Sequence, residues 1–144
     1  MRTTNVILAL LVVPFAAPSL WADLEVDHAW IRAAPPGVRT LAGYANLTNT
    51  GQEEIIIQAV ESEVFELIEM HETQNIDGVS SMHWLKTVEI APGEILYFEP
   101  HGRHFMLIKP TKPLPLGVAV TIELILGDDV RLPVDFVVRR ETTQ

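Results

Sequence analysis

From residue 23 onward, apolar and polar residues alternate with a period of two, and no sustained helical periodicity competes with it. Val118, Val120, Ile122 and Leu124 fall on one face of a predicted strand, with Thr121 and Glu123 on the other. Val130, Leu132, Val134, Phe136 and Val138 alternate with Arg131, Asp135 and Arg139, and Leu126-Gly127-Asp128-Asp129 joins the two runs as a hairpin. Leu41, Gly43, Ala45 and Leu47 oppose Tyr44, Asn46 and Thr48, and that run ends in the turn Asn49-Thr50-Gly51. Further strands are predicted over Val26–Arg32, Glu54–Val60, Val64–His71, Ser81–Val88, Gly93–Phe98 and Arg103–Lys109. Proline and glycine clusters at Pro35-Pro36-Gly37, Ala91-Pro92-Gly93, Glu99-Pro100-His101-Gly102 and Lys109–Gly117 separate them. Glu61–Met70 also reads as a short helix, because Val64, Phe65, Leu67 and Ile68 have helical spacing as well. Eight or nine short strands predict an all-β fold, an antiparallel β-sandwich or barrel. No internal repeat, low-complexity tract or linker divides the chain, so residues 23–144 are expected to form a single domain.

The segment before this pattern is different in kind. Residues 1–22 carry one charge, Arg2, followed by an apolar run from Val6 to Ala17. A membrane span needs roughly 20 apolar residues, so the run fits the apolar region of a secretory signal peptide cleaved near Ala22. Cleavage removes Arg2 and leaves 9 basic against 19 acidic residues, a net charge of −10 compared with −9 for the whole chain. The expectation is a soluble, exported, periplasmic protein with no membrane insertion. Clustered Lys and Arg are required for nucleic acid, and the acidic balance disfavours it. The 144 residues contain no cysteine. That removes lipid anchoring through cysteine, disulfide scaffolds, thiolate zinc sites, iron–sulfur clusters, cysteine nucleophiles and blue-copper electron transfer.

Two scarce residue types coincide. Besides the initiator, the methionines are Met70, Met82 and Met106, and four of the five histidines, His71, His83, His101 and His104, lie in the same window, 70–106. A single methionine is ordinarily core filler, and a single histidine is ordinarily a surface or hydrogen-bonded residue. Together they point to a metal. His104 and Met106 leave the same face of one strand and form half of a chelate without backbone distortion. Thioethers are soft neutral donors that favour Cu(I), and imidazole is accepted by several metals. Zinc gains little from methionine.

The spacing His71-x10-Met82-x21-His104-x-Met106 resembles that of the periplasmic copper(I) chaperones of the PCu(A)C type. Ala29–Gly37, Ala42–Asn49 and Ile90–Glu94 are similar to the opening strand, the second strand and a turn of that family, so the resemblance spans nearly the whole of residues 23–144. It implies a cupredoxin-like fold and one Cu(I) per chain, held by His71, Met82, His104 and Met106. It also implies a copper-accepting partner, either the copper subunit of cytochrome c oxidase or a thiol-containing copper chaperone, for assembly of the oxidase's binuclear copper centre. Some members carry a His/Met-rich C-terminal tail, and Val138–Gln144 contains neither residue. Strand alternation assigns Met70 to the core, turns His83 away from Met82 and places Trp84 beside the site; His101 belongs to a turn near it, and His28 lies outside.

No phosphate loop, nucleophile elbow or HExxH occurs, and no carboxylate pair is singled out, so an enzyme is not expected. The competing reading is a secreted β-sandwich that binds another protein without metal, its methionines serving as core.

Overall fold

The structure, a computed structural model, describes residues 23–141; the expected signal peptide over 1–22 lies outside the described residues. Ten strands follow in chain order: β1 (Leu24–Arg32), β2 (Thr40–Asn49), β3 (Ile55–Glu61), β4 (Phe65–Ile76), β5 (Val79–Leu85), β6 (Val88–Ile90), β7 (Ile95–Phe98), β8 (Arg103–Pro110), β9 (Ala119–Leu126) and β10 (Arg131–Arg139). They form one sheet in the order β5-β4-β8-β7-β2-β1-β10-β9-β3-β6, with β8 also pairing directly with β2. The all-β expectation holds, with almost every pair antiparallel. The exceptions are the parallel pair β1–β10 and a single parallel bridge between Phe98 of β7 and Arg103 of β8. The first and last strands meet because each presents an apolar residue inward at the same register, Ile31 against Val138, both sealed from solvent.

The sheet curls so that β8 faces β10 across the core. Phe105 of β8 stacks on Phe98 at 4.3 Å between ring centroids and meets Phe136 of β10 edge-on at 5.7 Å. Each fully buried phenylalanine contributes roughly 1.5–3 kcal/mol from burial alone. Gly43 of β2 lies opposite Phe105, and a β-carbon there would sit 3.4 Å from a Leu107 methyl, so this position lets the two strands approach closely. Asn49, fully buried at the end of β2, donates to the carbonyls of Glu53 (2.7 Å) and Ile90 (2.8 Å) and accepts from Gly51 N–H (2.9 Å). The predicted turn is thereby tied to β6.

Three expectations change. The helical reading of Glu61–Met70 fails: Phe65 onward is β4, with Ile68 and Met70 facing the core and Glu69 and His71 on the opposite face. The predicted strand Ser81–Val88 divides into β5 and β6. Leu85 and Val88 both need to face inward, which a regular strand cannot achieve at a spacing of three, and the chain crosses between them from one end of the sheet order to the other. Finally, β4 continues to Ile76 and returns as β5 through Asp77 (φ 52°) and Gly78 (φ 80°), the pair of positive φ angles that a two-residue hairpin turn requires.

Candidate metal centre

The hairpin β4–β5 and strand β8 place all four predicted ligands on the outer face of the sheet. His71 lies directly opposite His104 on β8, and opposite Trp84 on β5. Met106 lies opposite Glu69, and Met82 opposite Thr73. Glu69, His71 and Thr73 alternate with the inward-facing Met70, so these three and the residues opposite them, His104, Trp84, Met106 and Met82, share one side. His71 is therefore the centre of the set: His104 is its direct cross-strand neighbour, and Met82 and Met106 occupy its two opposite diagonals, where side chains are about 7–8 Å apart. The two sulfurs are the farthest pair. Met82, 55% exposed on an edge strand, is the candidate ligand with freedom to close that distance.

The two imidazole centroids are 5.8 Å apart. A ring centroid lies about 3.2 Å from a metal bound at about 2.0–2.1 Å, so two rings on one ion are roughly 5 Å apart at a tetrahedral angle and roughly 6.4 Å apart when collinear. The observed separation falls between these limits.

Hydrogen bonding fixes which nitrogen each ring leaves free. His104 Nδ1 is 3.2 Å from the Gly102 carbonyl, which can only accept, so Nδ1 carries the hydrogen and Nε2 holds the lone pair. The same carbonyl accepts the Thr73 N–H at 3.1 Å, tying the Pro100–Gly102 turn to β4. His71 donates Nε2–H to Glu69 Oε2 at 2.9 Å, and its Nδ1 is buried with no hydrogen-bonding partner. Burial is the main cause holding the His104 pKa below its ordinary value, with the Gly102 carbonyl opposing and the charges of His71 and Arg32 adding to the depression. Each ring therefore has one nitrogen held by an oxygen and the other without a hydrogen-bonding partner from that oxygen, the arrangement found at most histidine metal ligands. Among the described residues no three His, Cys, Asp or Glu side chains converge at metal distance. A metal on this face consequently needs the thioethers, and that donor set suits a soft monovalent ion.

The remaining candidates separate clearly. Met70 is 3% exposed, in the core as expected. His83 is exposed on the other face and pairs with Ser81 Oγ at 3.1 Å. His101 is exposed at φ 69° in its turn. His28 sits in a bulge of β1, hydrogen-bonded to Asp27, which also accepts from Asn46 at 2.7 Å. Trp84 is on the ligand face beside His71, under Lys86.

The sequence pattern of the LpqE-like family, described as lipoproteins, matches residues 24–138. The chain belongs to the LpqE-like family. A relative from Leifsonia xyli subsp. xyli, the protein Lxx21020, itself named as a lipoprotein, is 30% identical over 119 residues, or 81% of this chain and 70% of that protein. Among solved structures, this LpqE-like chain is similar to Cu(I)-bound DR1885 of Deinococcus radiodurans, at 27% identity and TM-score 0.63 over 78% of this chain and 75% of that one. Apo-DR1885 matches at 25% identity and TM-score 0.66, covering 98% and 93% respectively. The copper-bound PCuAC domain from PmoF2 matches at 20% identity and TM-score 0.69, over 83% and 94%, a likeness of fold. The LpqE-like chain thus has the cupredoxin-like fold of PCuAC domains. Among the described residues no helix is long and apolar enough to cross a membrane.

Sequence reasoning missed Glu69. Its signal was present, since an acid two residues before a candidate ligand on a strand must share that ligand's face.

Proposed function

We propose that this protein is an exported copper(I) chaperone whose cargo is one Cu(I) ion, held by His71, Met82, His104 and Met106. The observation that carries the reading is the pair of facing imidazoles, 5.8 Å apart, each with one nitrogen tied to an oxygen and the other free, flanked by two outward-facing thioethers. The likeness to DR1885, a protein with a Cu(I)-bound structure, supports the metal and its oxidation state. The lipoprotein description of the family supports export; the compartment we assign is the periplasm, with residues 1–22 as the signal peptide and 23–144 as the copper-binding domain.

The chemistry suits delivery rather than storage. Thioethers need no deprotonation, so protons compete for the site only through the imidazoles. An exposed Met82 is the natural first ligand to exchange, letting an incoming donor attack before the imidazoles release. The recipient we assign is the copper subunit of cytochrome c oxidase, reached directly or through a thiol-containing chaperone, for assembly of the binuclear copper centre.

Anaerobic titration of the chain with Cu(I) against a chromophoric chelator tests the site. One equivalent should bind tightly, and the double variant Met82→Leu, Met106→Leu should lose most of the affinity while keeping its fold. Full affinity in that variant would contradict the ligand set and favour a protein-binding module without metal.

A further inference from the structure

Glu69 has a role that the ligand spacing does not contain. It lies on the ligand face of β4, opposite Met106 and two residues from His71, between a thioether and an imidazole. The neighbouring acids of β4 take basic partners, Glu66 with Lys109 at 2.7 Å and Glu72 with Arg103 at 3.1 Å. The Glu69 carboxylate instead accepts His71 Nε2–H at 2.9 Å. A carboxylate only accepts, so this bond fixes the hydrogen on Nε2 and leaves the lone pair on Nδ1. That Nδ1 is buried and has no hydrogen-bonding partner, an arrangement folded proteins rarely leave without a purpose.

We propose that Glu69 is a positioning residue that selects the donor atom of His71: by holding Nε2–H it makes Nδ1 the nitrogen that takes copper. The inference rests on the chaperone reading above and adds to it. Without Glu69 the ring is free about χ2, a broad two-fold torsion, and either nitrogen can face the site. On β8 the opposite choice is made, since the Gly102 carbonyl holds His104 Nδ1 and leaves Nε2. The site is therefore an asymmetric pair, one ring binding through Nδ1 and its neighbour through Nε2. The carboxylate also places one negative charge beside a four-ligand site whose only charge is that of the ion.

The test uses apo and Cu(I)-loaded protein with 15N-labelled histidine, comparing wild type with Glu69→Gln and Glu69→Ala. In the apo wild type, the His71 Nε2–H resonance should be visible and slow to exchange with water. It should persist in Glu69→Gln, whose side-chain oxygen still accepts, and vanish into fast exchange in Glu69→Ala. On loading, the copper-induced nitrogen shift should appear at His71 Nδ1 and His104 Nε2. Copper(I) affinity should fall roughly 10- to 100-fold in Glu69→Ala, the usual cost of losing a partner behind a metal ligand, and distinctly less in Glu69→Gln. The proposal is overturned by a proton on Nδ1 of apo His71, by copper at His71 Nε2, or by Glu69→Ala leaving both signals and affinity unchanged. Equal losses in Glu69→Gln and Glu69→Ala would also overturn it, because charge rather than the hydrogen bond would then be acting. Failure of the wild type to bind Cu(I) at all, with Nε2–H still protected, would instead refute the chaperone reading.

Discussion

Phe105→Ala should be among the most damaging single substitutions in the chain, and the structure states why. The ring is sealed from solvent, stacked on Phe98 at 4.3 Å and 12°, and edge-on to Phe136 at 5.7 Å and 85°. Through Phe136 it carries β8 across the core to β10. Removing a buried phenylalanine costs about 3–5 kcal/mol from lost burial and the cavity left behind. The two aromatic contacts, each worth about 0.5–1.5 kcal/mol beyond burial, place Phe105 in the upper half of that range. A domain of ordinary stability, about 5–15 kcal/mol, loses a large fraction of it. In urea, with a slope of about 1–3 kcal/mol per molar, the unfolding midpoint should drop by about 1.3–5 M at unchanged slope. Tyr97→Ala, on neighbouring β7 and half exposed, is the control and should cost no more than about 0.5 kcal/mol. A loss under about 1 kcal/mol for Phe105→Ala would refute the packing of β8 on β10 described above. Because His104 and Met106 flank Phe105, the variant should also bind copper(I) more weakly where it remains folded.

Identical Met→Leu substitutions should separate packing from ligation: Met70→Leu, in the core, should cost under about 1.5 kcal/mol as a volume-conserving swap and leave copper(I) affinity unchanged. Met82→Leu, more than half exposed, should leave urea stability unchanged and weaken copper(I) by more than the roughly 10- to 100-fold cost of losing a partner behind a ligand; chelator competition on both variants would reject the assignment if the effects were reversed. Since burial depresses the His104 pKa, an NMR titration of that ring should have its midpoint below about 6.5, the ordinary value. The unfolded chain then binds the proton more readily than the folded one, so His104's contribution to stability is complete above pH 6.5 and lost as pH falls toward the folded pKa. A ring midpoint at or above 6.5 would contradict the burial described for it.

Much of the fold was legible because strand alternation is a local signal. Val120, Ile122 and Leu124 in β9, and Phe136 and Val138 in β10, face inward as their spacing requires. The Asp77-Gly78 hairpin was also legible and went unread; it would have extended β4 to Ile76 and set Met82 opposite Thr73. The parallel pairing of β1 with β10 was not legible, since nothing local to Ile31 or Val138 specifies a partner more than a hundred residues away. At the candidate site, parity placed His104 and Met106 together, kept Met70 inside and put Trp84 beside His71. The facing of His71 and His104 depends on the register between β4 and β8, which only tertiary pairing sets. The buried Tyr44, expected on a polar face, is covered there by Trp30 at 4.7 Å and by the Arg32 guanidinium. Its burial thus depends on neighbours brought by β1.

Copper K-edge X-ray absorption of the chain loaded with one equivalent of Cu(I) under anaerobic conditions tests the central claim most directly. The ligand set predicts sulfur and nitrogen scatterers in equal number around a Cu(I) edge, with the sulfur contribution halved in Met82→Leu and in Met106→Leu and abolished in the double variant. A shell of nitrogen and oxygen alone, unchanged by either substitution, would contradict it.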